Sequence, residues 1–295
     1  MDWLDHGHPL AALICLLACG VLGWFVPHLI ARIPEPQPEP QPEPQSEPQS
    51  GPQPEPQSGP QSGPESAREQ EPAAVAEGAE SVAGPEADTD VTTAGAGMPA
   101  REKVPYLEIA RSPGLAPRTA VTSALVGALL GASTGLDWIL PCLIFLTPVG
   151  VALSVVDWRT MLLPTKVIAP SYLAVIALLL VAALGQHDAR PLLGAALGWV
   201  VAGGLFWLLW RIYPKGMGFG DVRLSGVLGL ALGYLGWPEL LVGVYAGFLI
   251  GGVGGLLLAG LKKVHRKHYP FGPFMLVGAV VGVAFGPVVV AGLGY

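Results

Sequence analysis

Two aspartates carry the most distinctive chemistry in this chain. Asp157 and Asp221 stand 64 residues apart, and each is expected at the end of an apolar helix. A carboxylate at the edge of an apolar segment is costly unless it has a task. Two of them brought close together cannot both ionise, so they share a proton. Such a pair holds a water between a base and an acid. That is the aspartic-protease arrangement, and it titrates as a unit. The plainer alternative is a pair of local ion pairs. Asp157 would then meet Arg159 or Lys166, and Asp221 would meet Arg223 or Lys215.

The local sequences refine this. Asp221 follows Gly216, Gly218 and Gly220, three alternating glycines that allow a close backbone approach or conformations barred to residues with a Cβ. A loop between two spans is the bland reading of the same glycines. Asp157 is followed seven residues later by Pro164, which is expected to end a helix begun at the aspartate and turn the chain back.

The elements that must position these residues are apolar. Of the 295 residues, 51% are hydrophobic and only 13% charged, against about 25% charged in soluble domains. Charge-free runs predict eight spans, at 9–31, 119–136, 138–156, 167–186, 191–210, 224–238, 240–261 and 269–295. The sixth is short. It must borrow residues from Phe219 onward, or end in a thinned or protein-lined region. The first run follows two aspartates and no Lys or Arg, so it is expected to be a retained anchor, not a cleaved signal. With the amino terminus outside, alternation puts fifteen of the sixteen basic residues inside and leaves only Arg190 outside. Both termini then face out, and Asp157 and Asp221 become the only two carboxylates of the membrane part on the inner face. Asp137, Asp188 and Glu239 fall in short outside loops.

Fifteen of the 22 acidic residues lie between Glu35 and Glu108. That stretch opens with a Pro/Gln/Glu-rich repeat that cannot bury a core, so it is predicted to be a disordered, polyproline-II-like cytoplasmic linker, with a short helix near 104–110. A spacer is its bland reading, and docking of a polyproline-binding partner the sharper one. The expected plan is therefore an all-α polytopic membrane protein of about eight transmembrane helices. A first transmembrane helix spans 1–33, the linker 34–117 and a membrane domain 118–295.

Other residues point to structure. Cys15, Cys19 and Cys142 lie in apolar runs and read as buried small hydrophobes, without a disulfide framework or Cys-rich zinc site. His6 and His8 lack an acidic cage for a metal, and His265 and His268 stand among four cations that discourage Zn²⁺ and suit anionic lipid. The glycines of 251–255 read as a close helix contact. Trp24, Trp138, Trp199 and Trp237 read as interface anchors or packing residues.

Four stretches together resemble the type IV prepilin peptidases, the inner-membrane aspartic peptidases of the G-x-G-D type. They are Gly218 to Leu224, Asp157 to Thr165, Tyr269 to Phe274, and Gly20 to Phe25 with Arg32-Ile33-Pro34. The resemblance implies an endopeptidase that removes the leader of type IV prepilins or pseudopilins at the cytoplasmic membrane boundary. Asp157 and Asp221 would be the catalytic pair, with Gly218 and Gly220 shaping the loop that holds Asp221 and Pro164 the turn after Asp157. Arg223 stands where the family usually has lysine. It would stabilise one ionised state of the pair or contact substrate. The expected partners are the prepilin or pseudopilin substrate, the plasma-membrane bilayer and the proteins of a pilus or type II secretion assembly, with no nucleic acid, metal or organic cofactor. Many members carry paired C-x-x-C zinc motifs after the first helix, linked to N-methylation. This chain has its Pro/Gln/Glu linker there, so it resembles the peptidase-only members and methylation is not expected. A proton-coupled transporter and a non-catalytic component of an assembly machine remain alternatives. Replacing either aspartate separates them: a protease loses cleavage, a transporter loses flux and a scaffold loses neither.

Overall fold

A chain that crosses hydrocarbon must satisfy its backbone N–H and C=O groups internally, so each charge-free run is expected to coil into a helix. The computed structural model describes residues 7–35, 105–214, 216–260 and 270–292, with side chains as far as 254 in the third stretch. Among those residues there are helices and turns and no strand. Each of the eight runs becomes helical. The first is α1, Gly7–Trp24, continued after a break at Phe25 by α2, Val26–Ala31. Then come α3, Tyr106–Ala110, and the long helices α4, Leu115–Thr134, α5, Leu140–Thr160, and α6, Thr165–Gln186. The fifth run is α7, Arg190–Gly198, and α8, Gly204–Ile212, joined without a break by a π turn at Trp199–Gly203. The last three are α9, Phe219–Leu235, α10, Trp237–Gly260, and α11, Gly272–Gly292.

Among the described residues six helices are long and apolar enough to cross a membrane. They are α4, α5, α6, the α7–α8 pair, α10 and α11. The two others, α1 and α9, are shorter, with 18 and 17 residues. The shortness of α9 has a physical reason. From Asp221 to Tyr234 every residue except Arg223 is buried, so its backbone meets protein and not lipid along its length. It also begins at Phe219, drawing on the residues before the charge-free run.

Glycine makes this burial possible. A Cβ on Gly198 would collide with the carbonyl of Gly229, and one on Gly229 would lie 2.5 Å from the carbonyl oxygen of Gly198. Gly194 and Gly233 repeat the contact one turn away. The two backbones therefore touch, as small residues at four-residue spacing permit. Gly243 and Gly247 of α10 meet Gly278 and Gly282 of α11 in the same way, and Gly127 and Gly131 of α4 receive Cys19 and Ala11 of α1. Gly251 faces Phe271 and Gly254 faces Phe274, which fits the packing role read from 251–255, whereas Gly252 faces open space.

All three cysteines are buried and free. Trp24, Trp138, Trp199 and Trp237 are about half exposed, as anchors at a lipid boundary would be. A separate small core gathers Val26, Ile30 and Ile33 with Tyr106, Ile109, Ala152 and Val156. Through it α3 packs against both α2 and the last turns of α5. The Glu35 carboxylate accepts the Leu107 N–H at 3.4 Å, so the chain leaves at 35 and returns at 105 in nearly the same place. The short helix expected near 104–110 is thus present. Residues 36–104 of the expected linker, the basic loop around His265 and His268, His6 and Lys215 lie outside the described residues.

Candidate active site

Asp157 lies in the last turn of α5 and Asp221 in the first turn of α9. Both are buried, at 4% and 7% exposure. The turn after Asp157 differs from the expectation. Helix α5 ends at Thr160, four residues before Pro164, because Met161 takes a left-handed conformation at φ 54°. Its N–H still closes the helix on the Asp157 carbonyl at 2.8 Å. Pro164 does not terminate the helix of Asp157. It is the N-cap of α6, where its missing N–H costs nothing.

Between these helices Leu163 is wedged. A Cβ on Gly220 would lie 2.6 Å from the Leu163 Cβ, so only glycine beside Asp221 lets the two chains come this close. On its other flank Leu163 meets Gly272, the first residue of α11. The Gly272 N–H donates to Asp157 Oδ2 at 3.0 Å, and a Cβ there would sit 2.8 Å from the same oxygen. Leu163 therefore touches the backbone next to one carboxylate and the backbone bonded to the other. Of the two glycines assigned to the Asp221 loop, Gly220 provides the close approach. Gly218 has an ordinary φ of −71° and serves as the N-cap of α9.

Among the described residues neither aspartate forms an ion pair, so Arg159 and Lys166 do not hold Asp157 and Arg223 does not hold Asp221, while Lys215 lies outside the described residues. Arg223 points elsewhere too. Its Nη1 donates to the Thr165 hydroxyl, and its guanidinium lies over the Phe219 ring, 4.8 Å from the centroid. Its backbone carbonyl accepts the Tyr172 hydroxyl at 2.8 Å. Arg223 thus binds the start of α6, not a carboxylate.

The other acids of the membrane part gather at the opposite helix ends. Asp137 precedes α5 and accepts the Ile139 N–H and the Gln186 amide, each at 2.9 Å. Asp188 follows α6 and accepts the Arg190 N–H. Glu239 stands in the first turn of α10. Charge counting had already separated these three from Asp157 and Asp221. Among the described residues no three His, Cys, Asp or Glu side chains converge as a metal site would need.

Sequence reasoning overlooked several contributors. Gly272 entered only within the Tyr269–Phe274 stretch, and Leu163 and Thr165 only as members of the turn. Tyr172 went unmarked, although a hydroxyl in a charge-free run always needs a partner and could have been questioned for that reason.

Comparison with known proteins finds one family model and several relatives. Residues 142–256 match the Type IV leader peptidase family, and the matched stretch contains both Asp157 and Asp221. A prepilin leader peptidase/N-methyltransferase of Aeromonas hydrophila is 30% identical over 173 residues, 58% of this chain and 58% of its own length. The protein of the same name from Pseudomonas aeruginosa is 27% identical over 173 residues, again 58% of each chain. That from Escherichia coli K12 is 28% identical over 139 residues, 45% of this chain and 58% of the relative. The chain spans less than two thirds of the length of these relatives. No solved structure matches it.

Proposed function

We propose that the chain is a multi-pass membrane endopeptidase of the inner (plasma) membrane that removes the leader of type IV prepilins or pseudopilins. The observation that carries this reading is that the buried carboxylates Asp157 and Asp221, from distant helices, flank one wedge: Leu163 packs at Gly220 beside Asp221 and at Gly272, whose N–H is bonded to Asp157. The reading takes the named activity of the relatives for its substrate class and the G-x-G-D stretch for its site.

In this reading the ionised member takes a proton from a water held between the carboxyl groups. The water oxygen bonds to the scissile carbonyl carbon while the protonated member donates to the carbonyl oxygen. As the tetrahedral species collapses, a hydroxyl proton returns to the member that donated it, the C–N bond breaks and the proton held by the base goes to the leaving amine, which restores the starting pair. The Gly272 N–H fixes one oxygen of Asp157, leaving the other to face the water. Burial keeps bulk water out and strengthens each of these interactions. The aspartates are assigned to the cytoplasmic side with both termini outside. That places cleavage at the inner boundary, where a basic leader stays. The chain is assigned peptidase activity without N-methylation, and pilus or type II secretion proteins as its setting.

The test is the mature amino terminus of a co-expressed prepilin, read by mass spectrometry with wild type, Asp157→Asn and Asp221→Asn at equal membrane level. Wild-type cleavage abolished by each asparagine is expected, with a product lacking the mass of an added methyl group. Cleavage that survives either substitution would remove the pair from the mechanism.

A further inference from the structure

We propose that Arg223 is a positioning residue that latches the turn after Asp157 onto the helix carrying Asp221; this rests on the peptidase reading above. Three contacts converge on it. The guanidinium holds the Thr165 hydroxyl, its Cζ lies over the Phe219 ring, and the backbone carbonyl holds the Tyr172 hydroxyl. Thr165 and Tyr172 are seven residues apart, two turns along one face of α6. One residue of α9 therefore fixes both the position and the register of α6. Phe219 is itself braced edge-on by Trp210 of α8, with ring centroids 5.0 Å apart. Gly226 completes the fit, since a Cβ there would collide with the Tyr172 hydroxyl.

The latch acts through Leu163. Thr165 is two residues beyond it, so tying Thr165 to α9 sets how deeply Leu163 enters between Gly220 and Gly272. Those two glycines adjoin Asp221 and bind Asp157. Releasing the latch lets the wedge shift and alters the approach of the carboxyl groups without changing their charges. Arginine suits the task because its planar fork donates a directed hydrogen bond and stacks on an aromatic face at once. A lysine ammonium keeps the charge and a hydrogen bond but loses the flat contact.

The test uses the full chain in detergent micelles, with Arg223→Gln, Arg223→Lys, Thr165→Val and the double variant Arg223→Gln/Thr165→Val. Cleavage of a purified prepilin gives kcat, KM and the pH profile, and thermal unfolding gives a second readout independent of cleavage. Arg223→Gln and Thr165→Val are each expected to lower kcat about tenfold, as for one hydrogen bond to a charged group. KM and the pH profile stay in place, and Arg223→Lys recovers part of the rate. The double variant is no worse than the worse single variant, in kcat and in unfolding temperature alike. A Thr165→Val enzyme at the wild-type rate beside a slow Arg223→Gln enzyme would overturn the latch. So would a pH profile displaced in Arg223→Gln alone, which would make Arg223 an electrostatic partner of the carboxylates. If the wild type cleaves no prepilin, the peptidase reading fails first. The latch is then judged on unfolding: equal, non-additive losses support it and additive losses overturn it.

Discussion

Replacing Gly272 by alanine perturbs the site at one atom. The added Cβ would stand 2.8 Å from Asp157 Oδ2, 3.4 Å from its Cγ and 3.5 Å from Leu163 Cδ2. The carboxylate must swing away, which breaks the 3.0 Å hydrogen bond from the Gly272 N–H. A hydrogen bond to a charged group contributes about 1.5–3 kcal/mol. If that bond holds Asp157 in the geometry of the transition state, its loss lowers kcat about 10- to 100-fold. Stability should fall as well, because the lost bond belongs to the folded state, with alanine's better helix propensity offsetting at most about 1 kcal/mol of the loss. The assay is steady-state cleavage of a purified prepilin, with unfolding temperature measured on the same samples. Gly252→Ala is the control, since its Cβ would meet nothing within 4 Å. A Gly272→Ala enzyme within about twofold of wild type would refute the assignment of that N–H. Equal losses in Gly252→Ala would refute it as well.

Three further outcomes can be checked. Gly229→Val forces apart the α7 and α9 backbones that meet at Gly198, and should lower stability by about 3 kcal/mol or more; thermal unfolding in detergent reads the loss. Tyr172→Phe removes the hydroxyl that reaches the Arg223 carbonyl and should cost about 1 kcal/mol in the same measurement. Excising residues 36–104 and closing the gap with about six Gly and Ser residues, which reach about 20 Å, should leave cleavage unchanged. Glu35 and Leu107 already meet at 3.4 Å, and loss of activity on excision would give the segment a role beyond connection.

The helices were legible because a membrane leaves few options: an uncharged run of sufficient length has to coil. The short sixth run begins at Phe219 and is lined by protein, as its length required, but the contacts that line it were not legible. Those contacts are the meeting of Gly194 and Gly198 with Gly229 and Gly233, between distant segments that no single run announces. Asp157 and Asp221 were legible from charge alone, since so few carboxylates occur outside the 35–108 stretch. The direction in which Arg223 points was not. Its proximity in sequence to Asp221 suggested an electrostatic partner, whereas helical geometry turns a side chain two residues along to a different face. Pro164 misled for a related reason. Proline both stops and starts helices, and the stop had already been made by Met161, a residue whose type gives no warning of a left-handed backbone.

The burial of α9 on nearly every side has a mechanical consequence. A helix that touches lipid rides with the bilayer, tilting or shifting as the membrane thins or thickens. α9 is held by neighbouring backbones, so its height is referenced to protein. Asp221 then sits at a fixed level in the molecule, while the helix of a peptide arriving from the lipid finds its own level in the membrane. Where the two levels coincide is where a bond can be cut. On the peptidase reading, the enzyme works as a depth gauge, and the position of the scissile bond relative to the bilayer becomes part of what it recognises.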